Sequence, residues 1–74
     1  MEYIFATLSY AKNSVVDLKI PAHMDVEEFI GIICQLYAVS GTVLQMEPAG
    51  VILNNKQTFA QQQAEHGALF TLHS

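Results

Sequence analysis

Three histidines, one cysteine and seven carboxylates are the side chains of this 74-residue chain that could hold a metal or move a proton. A zinc site needs three or four ligands converging at set distances. His23, His66 and His73 have no partner one helical turn away and no neighbouring thiolate, so they read as surface histidines. Cys34 would need a cation or base beside it to become a nucleophile. None is evident, and a half-buried helix thiol accounts for it. Glu27 and Glu28 suit the start of a helix and Glu47 a solvated turn, so acid–base work is not needed to explain them. Nucleophile-elbow, P-loop and dinucleotide-binding glycine patterns are missing from the sequence. The expectation is a chain that is not an enzyme, with no cofactor, no metal and no catalytic residue.

Charge narrows the partners. The net charge is -4, with three lysines (Lys12, Lys19, Lys56) and no arginine. Phosphate recognition needs clustered cations, so nucleic acid is not an expected partner, and anionic lipid headgroups fail for the same reason. No run approaches the roughly 20 apolar residues of a membrane span. The opening MEYIF carries an acid where a signal peptide carries basic residues. A single cysteine excludes an internal disulfide and suits a reducing compartment, so a cytoplasmic location is expected. Hydrophobic residues make up 51% and charged residues 14%, against roughly 25% charged in typical domains. A domain this small cannot bury so much apolar surface. Part of it is expected to meet a protein partner, a second copy or a larger assembly.

The elements are organised around Asp25–Ala38, DVEEFIGIICQLYA. Val26, Phe29, Ile30, Ile33 and Tyr37 recur at helical spacing. Asp25 and Glu28 have the spacing of a capping box, and Ser40-Gly41 supplies a stop. Before the helix, residues 2–9 (EYIFATLS) and 15–20 (VVDLKI) alternate as strands, joined through the polar AKNS segment and ended by Pro21. After it come short strands at 43–46 and 51–53, with a turn at Glu47-Pro48-Ala49-Gly50 between them. A second turn at Asn54–Lys56, one 3₁₀ turn capped by Thr58 and a final strand at 68–73 complete the chain. Residues 1–74 are read as a single domain. One helix and about five strands give an α+β fold, a mixed sheet packed on one face of the helix, with the first and last strands parallel at the centre. That arrangement is the β-grasp.

The order of elements and the closing segment Phe59–Leu72 resemble ubiquitin over nearly the whole chain. Val16–Ile30 (VDLKIPAHMDVEEFI) and His66–Leu72 (HGALFTL) resemble, more narrowly, the YukD-like or EsaB-like bacterial ubiquitin-fold proteins. Ala68 stands where that family usually has aspartate. The resemblance implies a small, cytoplasmic, non-enzymatic accessory of type VII (WXG100) secretion, whose partner is a protein, including membrane-anchored secretion components. It also implies strand registers. Ile4, Ala6, Leu8, Val16, Leu18, Ile20, Val26, Phe29, Ile33, Leu53, Phe59, Phe70 and Leu72 point inward. Tyr3, Phe5, Val15, Gln45, Leu69, Thr71 and His73 fall on the outer sheet face.

Two positions of ubiquitin's own recognition patch then fall on Gln45 and His73, both polar, so ordinary ubiquitin receptors should not bind. An apolar cluster of Tyr3, Phe5, Val15 and Leu69 is the expected docking surface, with aromatic anchors. Ile32 and Leu36, on the flank of the helix near Cys34, are the second candidate; a sheet curling further round the helix would bury them instead. Two other functions remain open. One is a scaffold subunit of a multicomponent enzyme. The other is a carrier of the sulfur-transfer or modifier type, which needs a flexible C-terminal Gly-Gly, whereas this sequence closes Phe70-Thr71-Leu72-His73-Ser74.

Overall fold

In the computed structural model, which describes residues 2–74, the elements are β1 (Tyr3–Ala11), β2 (Ser14–Pro21), α1 (Val26–Tyr37), β3 (Val43–Glu47), β4 (Val51–Ile52), one 3₁₀ turn (Ala60–Gln62) and β5 (Ala68–His73). They form one mixed sheet in the order β2-β1-β5-β3-β4, with β1 and β5 parallel at its centre. The fold class is the expected one, a ubiquitin-like β-grasp.

β1 and β2 both run further than the sequence signals suggest. Ala11 pairs with Ser14, leaving only Lys12-Asn13 as the loop, and Asn13 takes a positive φ of 62°. Asparagine tolerates that left-handed conformation better than most residues, which lets the hairpin close tightly. Pro21 does end β2, opposite Tyr3.

The helix ends correct two expectations. Asp25 occupies the N-cap position but makes no side-chain cap. The amides of Val26 and Glu27 instead donate to the backbone carbonyls of Gln57 (3.0 Å) and Asn55 (3.1 Å). A loop arriving from later in the chain thus does what a capping side chain would have done. At the other end the helix stops at Tyr37, before Ser40-Gly41. Ala38 takes the left-handed conformation (φ 55°), and the Val39 amide closes on the Cys34 carbonyl at 3.1 Å. Gly41 has another role: a Cβ there would lie 2.5 Å from Cγ of Leu72.

A capping box does form, at the 3₁₀ turn. Thr58 Oγ1 accepts from the Gln61 amide (3.1 Å) while Gln61 Oε1 accepts from the Thr58 amide (2.9 Å). Next to it, the Gln62 carboxamide accepts from the Asn54 amide and donates to the Asn54 carbonyl (2.9 Å). That bidentate pair pins the 53–58 loop against the turn, and the same loop feeds carbonyls to the helix N-terminus. A Gln62→Ala variant should therefore lose about 1–2 kcal/mol, more than an ordinary surface change. Chemical denaturation checks this, and a loss within about 0.5 kcal/mol would show that the loop holds without it.

Leu8, Ile20, Val26, Leu44, Phe59 and Phe70 are the largest fully buried side chains. Ten of the expected inward residues are buried. Val16, Leu18 and Leu72 are only half-buried at the margin of the core. The first two lie on an edge strand, where no further strand flanks them. Ala22, Ile30, Leu44 and Ala64 join the core. Tyr37, half-buried at the last turn of α1, stacks on Tyr10 of β1 with ring centroids 4.3 Å apart.

Candidate protein-docking surface

Strand registers arrange the outer face in rows. One row runs Lys19, Phe5; the next Asp17, Thr7, Leu69, Glu47; a third Val15, Ser9, Thr71, Gln45, Ile52. Side chains opposite each other across strands share a face, so these rows are direct neighbours.

Phe5 is 58% exposed and Leu69 47% exposed, one row apart. Phe5 lies against the His66 ring with centroids 5.3 Å apart, and the Phe5 amide donates to His66 Nδ1 at 3.1 Å. The histidine thereby fixes the strand end that presents the phenylalanine. Tyr3 sits at the end of β1 with the Lys19 ammonium 4.4 Å from its ring centroid. Phe5, Thr7, Asp17, Lys19 and Gly67 border a shallow open depression of about 420 Å³.

Val15 is exposed but does not belong to that group. Between it and Phe5 lie Asp17 and Thr7, where Thr7 Oγ1 donates to Asp17 at 2.8 Å. The expected four-residue cluster is thus two patches: Tyr3, Phe5 and Leu69 on one side, Val15 near the β2 edge on the other. The register explains this, since Val15 lies opposite Ser9, four residues along β1 from Phe5.

Around Glu47 the face is polar. Gln45 donates to Glu47 (2.9 Å), and Thr71 Oγ1 donates to the same carboxylate oxygen (3.3 Å). Gln45 is half-buried and His73 exposed. Val51 and Ile52 are further exposed apolar side chains that the sequence reading missed. A two-residue strand shows no alternation from which a face could be read.

Ile32 and Leu36 are exposed, so the sheet does not curl over them. Their flank of α1 can be placed from the opposite one. Glu27, Gly31 and Cys34 border a groove with Gly41, Thr42 and Asn55, and Lys56 reaches Glu27 at 3.1 Å. That flank looks toward the β3–β4 end of the sheet, which turns Ile32 and Leu36 toward β1 and β2. Cys34 itself is half-buried, its thiol 3.6 Å from the Gly41 carbonyl. His23 pairs with Glu2 at 3.4 Å, both well exposed. Among the described residues no group of three or more His, Cys, Asp or Glu side chains is placed to hold a metal, and no helix is long and apolar enough to cross a membrane.

No family model matches the chain, and no curated relative matches it. Solved structures do. The C-terminal ubiquitin-like domain of mouse tubulin-specific chaperone e is 16% identical with a TM-score of 0.79, over 97% of this chain and 86% of that one. Ubiquitin from Caldiarchaeum subterraneum is 13% identical with a TM-score of 0.77, over 99% and 94%. The EccD5 ubiquitin-like domain from Mycobacterium xenopi is 13% identical with a TM-score of 0.71, over 97% and 93%. The chain has the ubiquitin-like fold. At this identity the likeness carries fold alone.

Proposed function

We propose that this chain is a non-catalytic protein-interaction module of a bacterial type VII (WXG100) secretion system, acting in the cytoplasm. It docks through the Tyr3–Phe5–Leu69 side of the outer sheet face onto a larger component of that system. The observation that carries the docking reading is Phe5, a large aromatic left more than half exposed and held in place by His66 in a charge-poor chain. The secretion reading is supported by the sequence resemblance over Val16–Ile30 and His66–Leu72, with which the fold agrees.

The test is capture of partners from the native host with the tagged chain, using soluble and membrane fractions read by mass spectrometry. Recovery of a membrane-anchored secretion ATPase or a WXG100 substrate is the expected result. Recovery of a soluble multi-subunit enzyme instead would make the chain a scaffold subunit and discard the secretion reading. Phe5→Ser combined with Leu69→Ser should weaken the captured interaction by about thirtyfold or more, as loss of an anchor does. Both residues are exposed, so the variant's thermal midpoint should stay close to that of the parent. A melted variant would mean that these side chains support the fold.

A further inference from the structure

β2 is the long free edge of the sheet; at the other edge β4 has only two residues. Which backbone groups of β2 are free follows from one hydrogen bond. The Ala22 amide donates to the Glu2 carbonyl at 3.0 Å, in line with the register that pairs Tyr3 with Pro21 and Ile4 with Ile20. In an antiparallel ladder, hydrogen-bonded and non-bonded pairs alternate. Val16, Leu18 and Ile20 therefore spend their amides and carbonyls on β1, while those of Val15, Asp17 and Lys19 point out from the edge. β1 agrees: Phe5 turns its amide and carbonyl away from β2, to His66 and to the Gly67 amide.

An open edge of this kind invites another strand, and natural proteins often blunt it with a lysine. Here the lysine comes with an acid two residues earlier, and the pair is complementary to itself. We propose that a second copy of this chain pairs with it through β2, antiparallel, with Asp17 opposite Lys19 of the second copy and Lys19 opposite its Asp17. In that register each opposed Asp17–Lys19 pair exchanges both ladder hydrogen bonds. The Val15 amide donates to the second lone pair of the Pro21 carbonyl of the second copy, which also accepts from its own Met24 amide at 3.2 Å. Proline lacks an amide to return, which suits the end of a ladder. Sliding by one residue pair sets Asp17 against Asp17 or Lys19 against Lys19, so charge selects a single register.

The inner face agrees with the same register. Leu18 meets its own counterpart, and Val16 meets Ile20 of the second copy, which extends the margin where Val16 and Leu18 are half-buried. The two helices stay on one side of the joined sheet, with the exposed Ile32–Leu36 flanks turned toward the seam. Exposed Val15 is drawn against Pro21 of the second copy. The interface is two-fold symmetric and closes on itself, so it ends at a dimer. Asp17 keeps its second carboxylate oxygen for the second copy while the first accepts from Thr7, and Lys19 exchanges its contact with the Tyr3 ring for the facing Asp17. The outer face proposed above for a foreign partner lies beside this edge and is tested separately.

Charge exchange tests it. Asp17→Lys gives a chain with two lysines on the edge, and Lys19→Asp gives one with two acids. Sedimentation of the unaltered chain up to about a millimolar should show a monomer–dimer equilibrium. Each variant alone should dimerise about tenfold or more weakly, and an equimolar mixture should recover a mixed dimer. Amide exchange at Val15, Asp17 and Lys19 should slow as concentration rises. Circular dichroism of each variant checks that both fold, and the mixture carries its own control because it contains the same two chains. A chain that stays monomeric throughout overturns the proposal and leaves the edge to a strand from another protein. A dimer indifferent to the charge exchange overturns it as well, because another face then holds the copies together.

Discussion

Replacing Phe59 with alanine should cost about 3–5 kcal/mol, which is most of the stability that a domain of this size commonly has. Phe59 is fully buried and stands between the helix and the centre of the sheet. Its ring meets Phe29 of α1 edge-on at 5.3 Å and Phe70 of β5 at 5.5 Å. Each such aromatic pair is worth about 0.5–1.5 kcal/mol beyond the apolar area it buries. Truncation removes both pairs and leaves a cavity that the segment around residue 59 cannot collapse into. The adjacent capping box and the Gln62–Asn54 pair hold that segment in place. Urea unfolding should show a midpoint moved far down with the slope unchanged. A loss below about 1 kcal/mol would take Phe59 out of the core. Phe29→Ala should fall in the same range but nearer its lower end, because it loses one of the two pairs.

Gly41→Ala should cost about 1–3 kcal/mol by overpacking. Its backbone is not in the left-handed region, so the cost is purely one of space. The added methyl would meet Cγ of Leu72 at 2.5 Å and both of its methyl carbons within 3 Å. Because Cγ is involved, a change of rotamer at the end of the side chain cannot relieve the clash. A double-mutant cycle isolates the effect. In a Leu72→Ala background the Gly41→Ala change should cost much less than in the parent. Equal costs in both backgrounds would place the strain somewhere other than Leu72.

Local periodicity made most of this fold legible. The helical recurrence of Val26, Phe29, Ile30 and Ile33 and the alternation of β2 survive in the structure, because burial on one face imposes the period, whereas the inward faces of β1 and β5 came from the resemblance to ubiquitin. Pro21 and the Glu47–Gly50 turn act where local chemistry says they should. What escaped were decisions made by distant segments. Asp25 and Glu28 have the spacing of a capping box, yet the carbonyls of Gln57 and Asn55 reach the helix amides instead. Gly41 looked like a helix stop and is instead a space for Leu72. Leu44 sits in a five-residue strand whose alternation is too brief to mark it as core.

The docking surface was legible as a list of exposed residues and not as a shape. Phe5, Leu69, Ile32 and Leu36 are exposed, but only pairing shows that Asp17 and Thr7 separate Val15 from Phe5. His66, as the support for Phe5, lies 61 residues away in sequence. No spacing rule could have joined them.

The strand that completes the middle of the sheet, β5, is the last of the elements described, and this bears on the order in which the fold can form. During synthesis β1, β2 and α1 emerge first, but β1 has no inner neighbour until Ala68–His73 has left the ribosome. The N-terminus of α1 waits similarly for residues 55–57. Contacts so far apart in sequence slow folding, because the chain must close long loops before they are rewarded. Ile4, Leu8 and Phe29 therefore lack their β5 partner until Phe70 arrives, and the hairpin and helix should gain lasting structure only then. A chain truncated before residue 68 should be cut readily by proteases, and one that includes Ala68–His73 should resist them.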